Sequence, residues 1–197
     1  DAQAVLQRIM ANDVDVEPGR VIYGQWLNNS GGIEADLTVT RLSETVFLIV
    51  TSAASATRDF AWLKKNIPEG AHCVATDVTG SEAVFSIMGP SARDIMQKIS
   101  TADFSNTEFP FGTAREIEVG MALARAHRIS YVGELGWELY IPTEMAAYIF
   151  EKIIGLDVSV RPKLCGMHVL DSCRLEKAFR HFGHDITDED HVLEAGL

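Results

Sequence analysis

The chain has 197 residues; 47% are apolar and 23% charged, and 17 basic against 28 acidic side chains leave a formal net charge of −11. This composition excludes intrinsic disorder, which requires low hydrophobicity with high charge. The length suits one or two domains with a core that needs no covalent staple. The negative balance argues against nucleic acid and anionic membrane surfaces as partners, since both are bound through surplus Lys and Arg, although one buried Arg could still serve a small anion.

Cys73, Cys165 and Cys173 form no C-x-x-C pair, which predicts a reducing compartment without a disulfide framework. No apolar run reaches the length of a membrane span, and no signal peptide is visible. The chain opens on Asp1, inside a predicted helix, and stops abruptly at Leu197, which reads as a piece cut from a longer protein.

In chain order, residues 2–11 read as an amphipathic helix with Ala2, Val5, Leu6, Ile9 and Met10 on one face. A strand is predicted at 20–27, and Asn28-Asn29-Ser30-Gly31-Gly32 is a strong turn signal. Strands follow at 36–42 and 45–51, then a helix at 55–66 that stops before Pro68. Strands at 73–78 and 82–88 precede a helix at 91–99. Strands near 114–119, 122–130 and 136–141 lead to a helix at 143–154. A loop over 155–162 and a long helix at 164–180 end in an acidic tail with Asp185, Asp188, Glu189 and Asp190.

Residues 2–9 and 92–99 share the pattern Ala-x-x-apolar-apolar-Gln-basic-Ile. Two readings stay open: a shared helical period, or two β-α units built alike. Short, partly hairpin-linked strands with interspersed helices and no strict βαβ rhythm predict an α+β fold with antiparallel or mixed sheets.

No P-loop, G-x-G-x-x-G, G-x-S-x-G or H-E-x-x-H is present, which removes the common signatures for nucleotides, dinucleotides, acyl transfer and zinc hydrolysis. Four stretches remain. In Gly31-Gly32-Ile33-Glu34-Ala35-Asp36-Leu37 a tight turn leads into a strand whose period of two puts Glu34 and Asp36 opposite Ile33, Ala35 and Leu37. Asp36 could accept a proton there, or be a solvated strand end. In Tyr131-Val132-Gly133-Glu134-Leu135-Gly136-Trp137-Glu138-Leu139-Tyr140, glycines between aromatics and acids allow close approach of a flat ligand. A carboxylate can accept two hydrogen bonds from an amino-pyrimidine edge; an ordinary hairpin with a core Trp is the alternative. Arg174, among Leu170, Cys173 and Leu175, is expected to be partly buried, with Asp171 as an i, i+3 partner. His181, His184, Asp185 and His191 match no closed metal motif and read as solvated loop side chains, so no metal is expected.

Together, the run from Tyr23 to Asp36, the run from Tyr131 to Glu138, and Arg174-Leu175-Glu176-Lys177 followed by His181-Phe182-Gly183-His184-Asp185 are similar to the folate-binding core of the glycine-cleavage T-proteins, or aminomethyltransferases. The forms Gly-Gly-Ile-Glu-Ala-Asp-Leu-Thr-Val-Thr-Arg-Leu and Gly-Glu-Leu-Gly-Trp-Glu-Leu-Tyr resemble most the C-terminal folate domain of dimethylglycine and sarcosine dehydrogenases. The resemblance spans nearly the whole chain. It implies an α+β fold of ferredoxin-like and Greek-key subdomains around a central tetrahydrofolate channel. It also implies that residues 1–197 are the central part of a folate-binding domain, with an FAD-binding domain upstream in the parent chain and a small β-barrel downstream.

Carried over, Asp36 matches the catalytic carboxylate beside the folate nitrogens. Tyr23, Val50 and Thr51 match the pocket lining, and Glu138 and Tyr131 the pterin contacts. Arg174 matches a basic residue near the p-aminobenzoyl-glutamate. Ala35 and Thr51 stand where T-proteins usually carry Asp and Asn, which favours the dehydrogenase branch. The implied function is one-carbon transfer to tetrahydrofolate in a demethylating flavoenzyme acting on a methylated amine or its iminium. The alternatives are a stand-alone glycine-cleavage aminomethyltransferase and a non-catalytic folate-binding protein linked to iron–sulfur cluster maintenance. The implied compartment is the cytoplasm, or the mitochondrial matrix in a eukaryote.

Overall fold

A computed structural model describes residues 1–197 as two compact units. The first comprises Asp1–Asp77 and Arg180–Leu197, the second Val78–Phe179. The second is therefore an insertion in the sequence of the first.

The first unit opens with α1 (Ala2–Ile9) and holds a three-stranded antiparallel sheet of β1 (Val21–Leu27), β2 (Ile33–Arg41) and β3 (Phe47–Val50), in that order. β2 alternates between buried and half-buried side chains over Ile33–Thr38, the signature of a strand with one face on a core. Leu37, Val39, Ile22 and Trp26 join Leu6 and Ile9 of α1, Met10 just after it, and Leu63 of α2 (Ala56–Asn66) in that core. Trp26 stacks on Trp62 with ring centroids 5.1 Å apart. The strand expected at 73–78 does not form. Its alternating pattern finds no sheet edge to pair with, and Val74 is left exposed.

The second unit holds β4 (Glu82–Met88), α3 (Ala92–Ile99), β5 (Ala114–Val119), β6 (Ala122–His127), β7 (Gly136–Pro142), α4 (Ala146–Ile154) and α5 (Met167–Glu176). Its antiparallel strands run β4-β7-β6-β5, so the first strand lies beside the last in a Greek-key order. Trp137, Leu139 and Ile141 of β7 face Ile95, Met96 and Ile99 of α3 and Ile149 and Ile153 of α4 in one core. The matching halves of residues 2–9 and 92–99 bury equivalent positions, but α1 precedes its first strand and α3 follows one. They share a helical period without sharing a β-α unit.

α5 is shorter than the expected helix. It starts after Gly166 and ends at Glu176, where Ala178 turns to φ 56° and the Phe179 N–H bonds the Arg174 carbonyl at 3.0 Å. The acidic tail is also not loose. α6 (Val192–Ala195) is capped by a reciprocal pair: the His191 ring accepts from the Leu193 N–H at 3.2 Å, and the Glu194 carboxylate accepts from the His191 N–H at 3.1 Å.

Candidate functional site

Strand register builds the first cluster. Gln25 of β1 lies opposite Asp36 of β2, Tyr23 lies opposite Thr38, and Thr38 lies opposite Val50 of β3. Tyr23, Gln25, Asp36, Thr38 and Val50 therefore share the sheet face turned away from the core. The Gln25 amide donates to Asp36 Oδ1 at 2.9 Å. Tyr23 keeps 47% of its surface exposed beside them. Burial pushes the Asp36 carboxyl above the ordinary carboxylate range, while hydrogen bonds from Gln25 and Tyr23 and the positive potential of His181 pull it back.

Thr51, the residue after β3, does not share that role. Its hydroxyl donates to Asp59 Oδ2, which also accepts from Ser55 Oγ at 2.7 Å. Asp59 is buried in the first turn of α2, so Thr51 fastens a strand end to a helix start.

The glycine turn has a cause the sequence did not display. A Cβ on Gly32 would stand 2.1 Å from the Asp188 carbonyl oxygen. The close approach is to the chain's own tail. The Ile33 N–H bonds the Asp190 carbonyl at 3.0 Å, and Ile33 shares a small core with Ile186 and Ala195. Arg58 pairs with Glu34 at 2.8 Å and lies over Phe182 at 5.5 Å. The tail thus carries His181 to the neighbourhood of Asp36. His181 stacks on His184 at 4.2 Å and donates its backbone N–H to Asp185 at 3.0 Å. No group of three or more His, Cys, Asp or Glu side chains is arranged to hold a metal ion.

The second cluster lies on the sheet of the second unit. Glu138 of β7 stands between His127 of β6 and Ser86 of β4, and Tyr140 stands between Arg125 and Val84. These side chains occupy the face opposite α3 and α4, since Trp137 and Leu139 fill the helix side. The Tyr140 hydroxyl donates to Glu138 Oε2 at 2.8 Å. Burial raises the Glu138 carboxyl, and the bond from Tyr140 opposes that rise. Burial, the neighbouring Glu138 charge and the bond to it raise the Tyr140 phenol as well. Burial, aided by Arg125, brings His127 down to about 3, so its ring is neutral near pH 7.

Tyr131 and Arg174 form a third cluster, joined through Phe179. The Tyr131 and Phe179 rings stack at 6.2 Å, and Arg174 Nη1 donates to the Phe179 carbonyl at 3.1 Å. Arg174 is 4% exposed and pairs with Asp171 at 3.2 Å. Gly133, at φ 67°, lets this loop close on α5, for a Cβ there would meet Lys177 Cγ at 2.2 Å. The i, i+3 ion pair expected for Arg174 is present, and a backbone carbonyl is a further partner.

The structure thus gathers Tyr23, Val50 and Asp36 on one face, places Thr51 in a separate clamp, holds Glu138 on the β7 sheet face, and joins Tyr131 and Arg174 through Phe179. Sequence reasoning missed Gln25, His181 and Tyr140. Hairpin register would have found Gln25, and the strand period places Tyr140 on the Glu138 face. Nothing local signals His181, which reaches Asp36 through the returning tail.

A family profile described as the GCVT N-terminal domain matches residues 1–197. The 4-methylaminobutanoate oxidase (formaldehyde-forming) of Paenarthrobacter nicotinovorans is 38% identical over 197 residues, covering 100% of this chain and 24% of that protein. Mouse mitochondrial sarcosine dehydrogenase is 31% identical over 211 residues, covering 100% of this chain and 23% of that protein. Among solved structures, the glycine cleavage system aminomethyltransferase T of Bartonella henselae superposes with a TM-score of 0.82 at 29% identity, over 96% of this chain and 49% of that one. The chain therefore spans about a quarter of the length of the two curated relatives. No helix is long and apolar enough to cross a membrane.

Proposed function

The chain belongs to the GCVT N-terminal domain family, and from that membership we propose that it is the tetrahydrofolate-binding, one-carbon transfer domain of an enzyme that oxidises an N-methyl amine. The observation that carries this reading is the Asp36 carboxylate, held by Gln25 on a strand face beside the exposed ring of Tyr23. The two amine-oxidising relatives, matched over the full length of the chain, support the dehydrogenase branch. So do Ala35 and Thr51, which stand where T-proteins usually carry Asp and Asn. In this reading an FAD domain elsewhere in a longer parent chain forms the iminium, in the cytoplasm or the mitochondrial matrix.

The residues present suit tetrahydrofolate. Glu138 offers a restrained carboxylate to an amino-pyrimidine edge, Tyr131 and Tyr23 offer aromatic faces, and Val50 lines the Asp36 side. Arg174 would lie toward the glutamate end. When bound, tetrahydrofolate supplies the nitrogen nucleophile that takes up the one-carbon unit. Asp36 would accept the proton released at that nitrogen, a general-base role that its raised affinity for protons favours. Gln25 and Tyr23 hold the carboxylate in place during this step. Confining both reactants beside it makes the transfer effectively intramolecular.

In the longer parent enzyme, oxidation of an N-methyl amine with tetrahydrofolate present should release little free formaldehyde, and Asp36→Asn should restore its release. Equal formaldehyde yields with and without tetrahydrofolate would overturn the reading. A stand-alone aminomethyltransferase acting on a lipoyl carrier protein is the second reading, favoured by the likeness to the Bartonella protein. Transfer from an aminomethyl-lipoyl carrier would decide for it.

A further inference from the structure

A carboxylate at the end of a Glu side chain turns broadly about its last torsion, whereas pairing with a flat amino-heterocycle demands one plane. Glu138 is not free to turn, because the Tyr140 hydroxyl donates to Oε2 at 2.8 Å. Tyr140 is itself held. It is 3% exposed, its ring centroid lies 4.3 Å from that of His127, and the Arg125 guanidinium lies 5.8 Å over its ring. Arg125 is in turn ion-paired with Glu82 of β4. The Arg125 charge is thus matched by Glu82 instead of Glu138.

We propose that Tyr140 is the positioning residue for Glu138: its hydroxyl fixes the carboxylate plane through Oε2 and presents Oε1 to the amino edge of a flat 2-amino heterocycle. This rests on the reading that Glu138 meets the pterin. The same bond opposes the rise that burial causes at Glu138, and a protonated carboxyl would turn an acceptor into a donor. The titratable and charged groups facing the pair across the sheet are His127 and Arg125 from β6 and Glu82 from β4.

Carbon-13 NMR of labelled Glu carboxyls in this chain, without ligand, reads the Glu138 titration directly. Tyr140→Phe should move its midpoint to higher pH, and 3-fluorotyrosine at the same position, a stronger donor of the same shape, should move it lower. Calorimetry should show tetrahydrofolate affinity falling about 10-fold at neutral pH in Tyr140→Phe, with the acid limb of binding displaced upward. In a Glu138→Gln background, Tyr140→Phe should add nothing. An unmoved midpoint, or independent losses in the double variant, would overturn the proposal. A moved midpoint in a protein that takes up no tetrahydrofolate would overturn the folate reading alone and support the positioning role.

Discussion

Asp36 and Glu138 are both carboxylates lifted by burial and restrained by a neighbour on the same sheet face, but their settings differ. Asp36 is held by an amide, beside a half-exposed tyrosine. Glu138 is held by a buried phenol and stands between a buried neutral histidine and Ser86. An amide donates a hydrogen bond without titrating near neutral pH, so Gln25 can hold Asp36 without competing for the proton in the proposed base role. At the second site a fixed donor and an immobilised ring favour a carboxylate that accepts and stays where it is. Burial is opposed by hydrogen bonds at both sites, from Gln25 and Tyr23 at Asp36 and from Tyr140 alone at Glu138, and the proposed roles, base in one unit and anchor in the other, follow that difference.

The largest expected break in this comparison is Asp36→Asn. It should leave tetrahydrofolate binding nearly unchanged and slow one-carbon transfer by about 10²–10⁴-fold, the usual cost of losing a general base. Stopped-flow transfer kinetics on the parent enzyme measure it, and an unchanged rate would return Asp36 to the status of a strand residue. Glu138→Gln should do the reverse. Affinity should fall by about 10- to 150-fold, as for a lost charge-assisted bond, with little change in melting temperature. Equal calorimetric affinities would remove the anchor.

Gly32→Ala sharpens the comparison, because the tail packs on the turn at Gly32 within the first unit. The added methyl collides with the Asp188 carbonyl, and overpacking of that kind costs about 1–3 kcal/mol. Hydrogen exchange should accelerate over residues 186–195 and 33–36 while β7 stays protected. Uniform protection would mean that the tail tolerates the methyl.

The smallest effect concerns stability against pH. The folded Asp36 carboxyl binds its proton more tightly than the unfolded one, so stability falls as pH rises from the ordinary carboxylate range to the raised folded value. Asp36→Asn should remove that loss. The variant should gain less than about 1.4 kcal/mol per pH unit of the shift at pH 7 and nothing once Asp36 is protonated in both states. Urea denaturation at pH 3 and pH 7 compares the two, and a gain confined to pH 3 would contradict the burial of the carboxyl.

Much of this was legible in the chain. Period-two alternation put Asp36 opposite Leu37, and burial agrees along β2. The helical period found every buried position of α3. What could not be read depended on distant partners. The 73–78 pattern had strand chemistry but no edge to join. The Gly31-Gly32 pair read only as a tight turn, yet the group that approaches it is the Asp188 backbone, more than 150 residues away in sequence. The histidines after Arg180 looked like loop side chains, because nothing local records that Ile186 and Ala195 pack on Ile33. Charge was also misleading in the tail, where its acidic residues hid the His191–Glu194 capping pair.

Because Val78–Phe179 is inserted in the sequence of the first unit, the two units cannot be completed in the order in which they begin. During synthesis the second has all its strands and helices once Phe179 has left the ribosome. The first must wait for Arg180–Leu197 to reach the turn at Gly32. Long-range closure of this kind is slow, since loop entropy is lost before contacts repay it. Asp36, whose surroundings include that late segment, is the last part of the candidate chemistry to be assembled. A ribosome stalled between the two events would carry a finished Glu138 site and an unfinished Asp36 site.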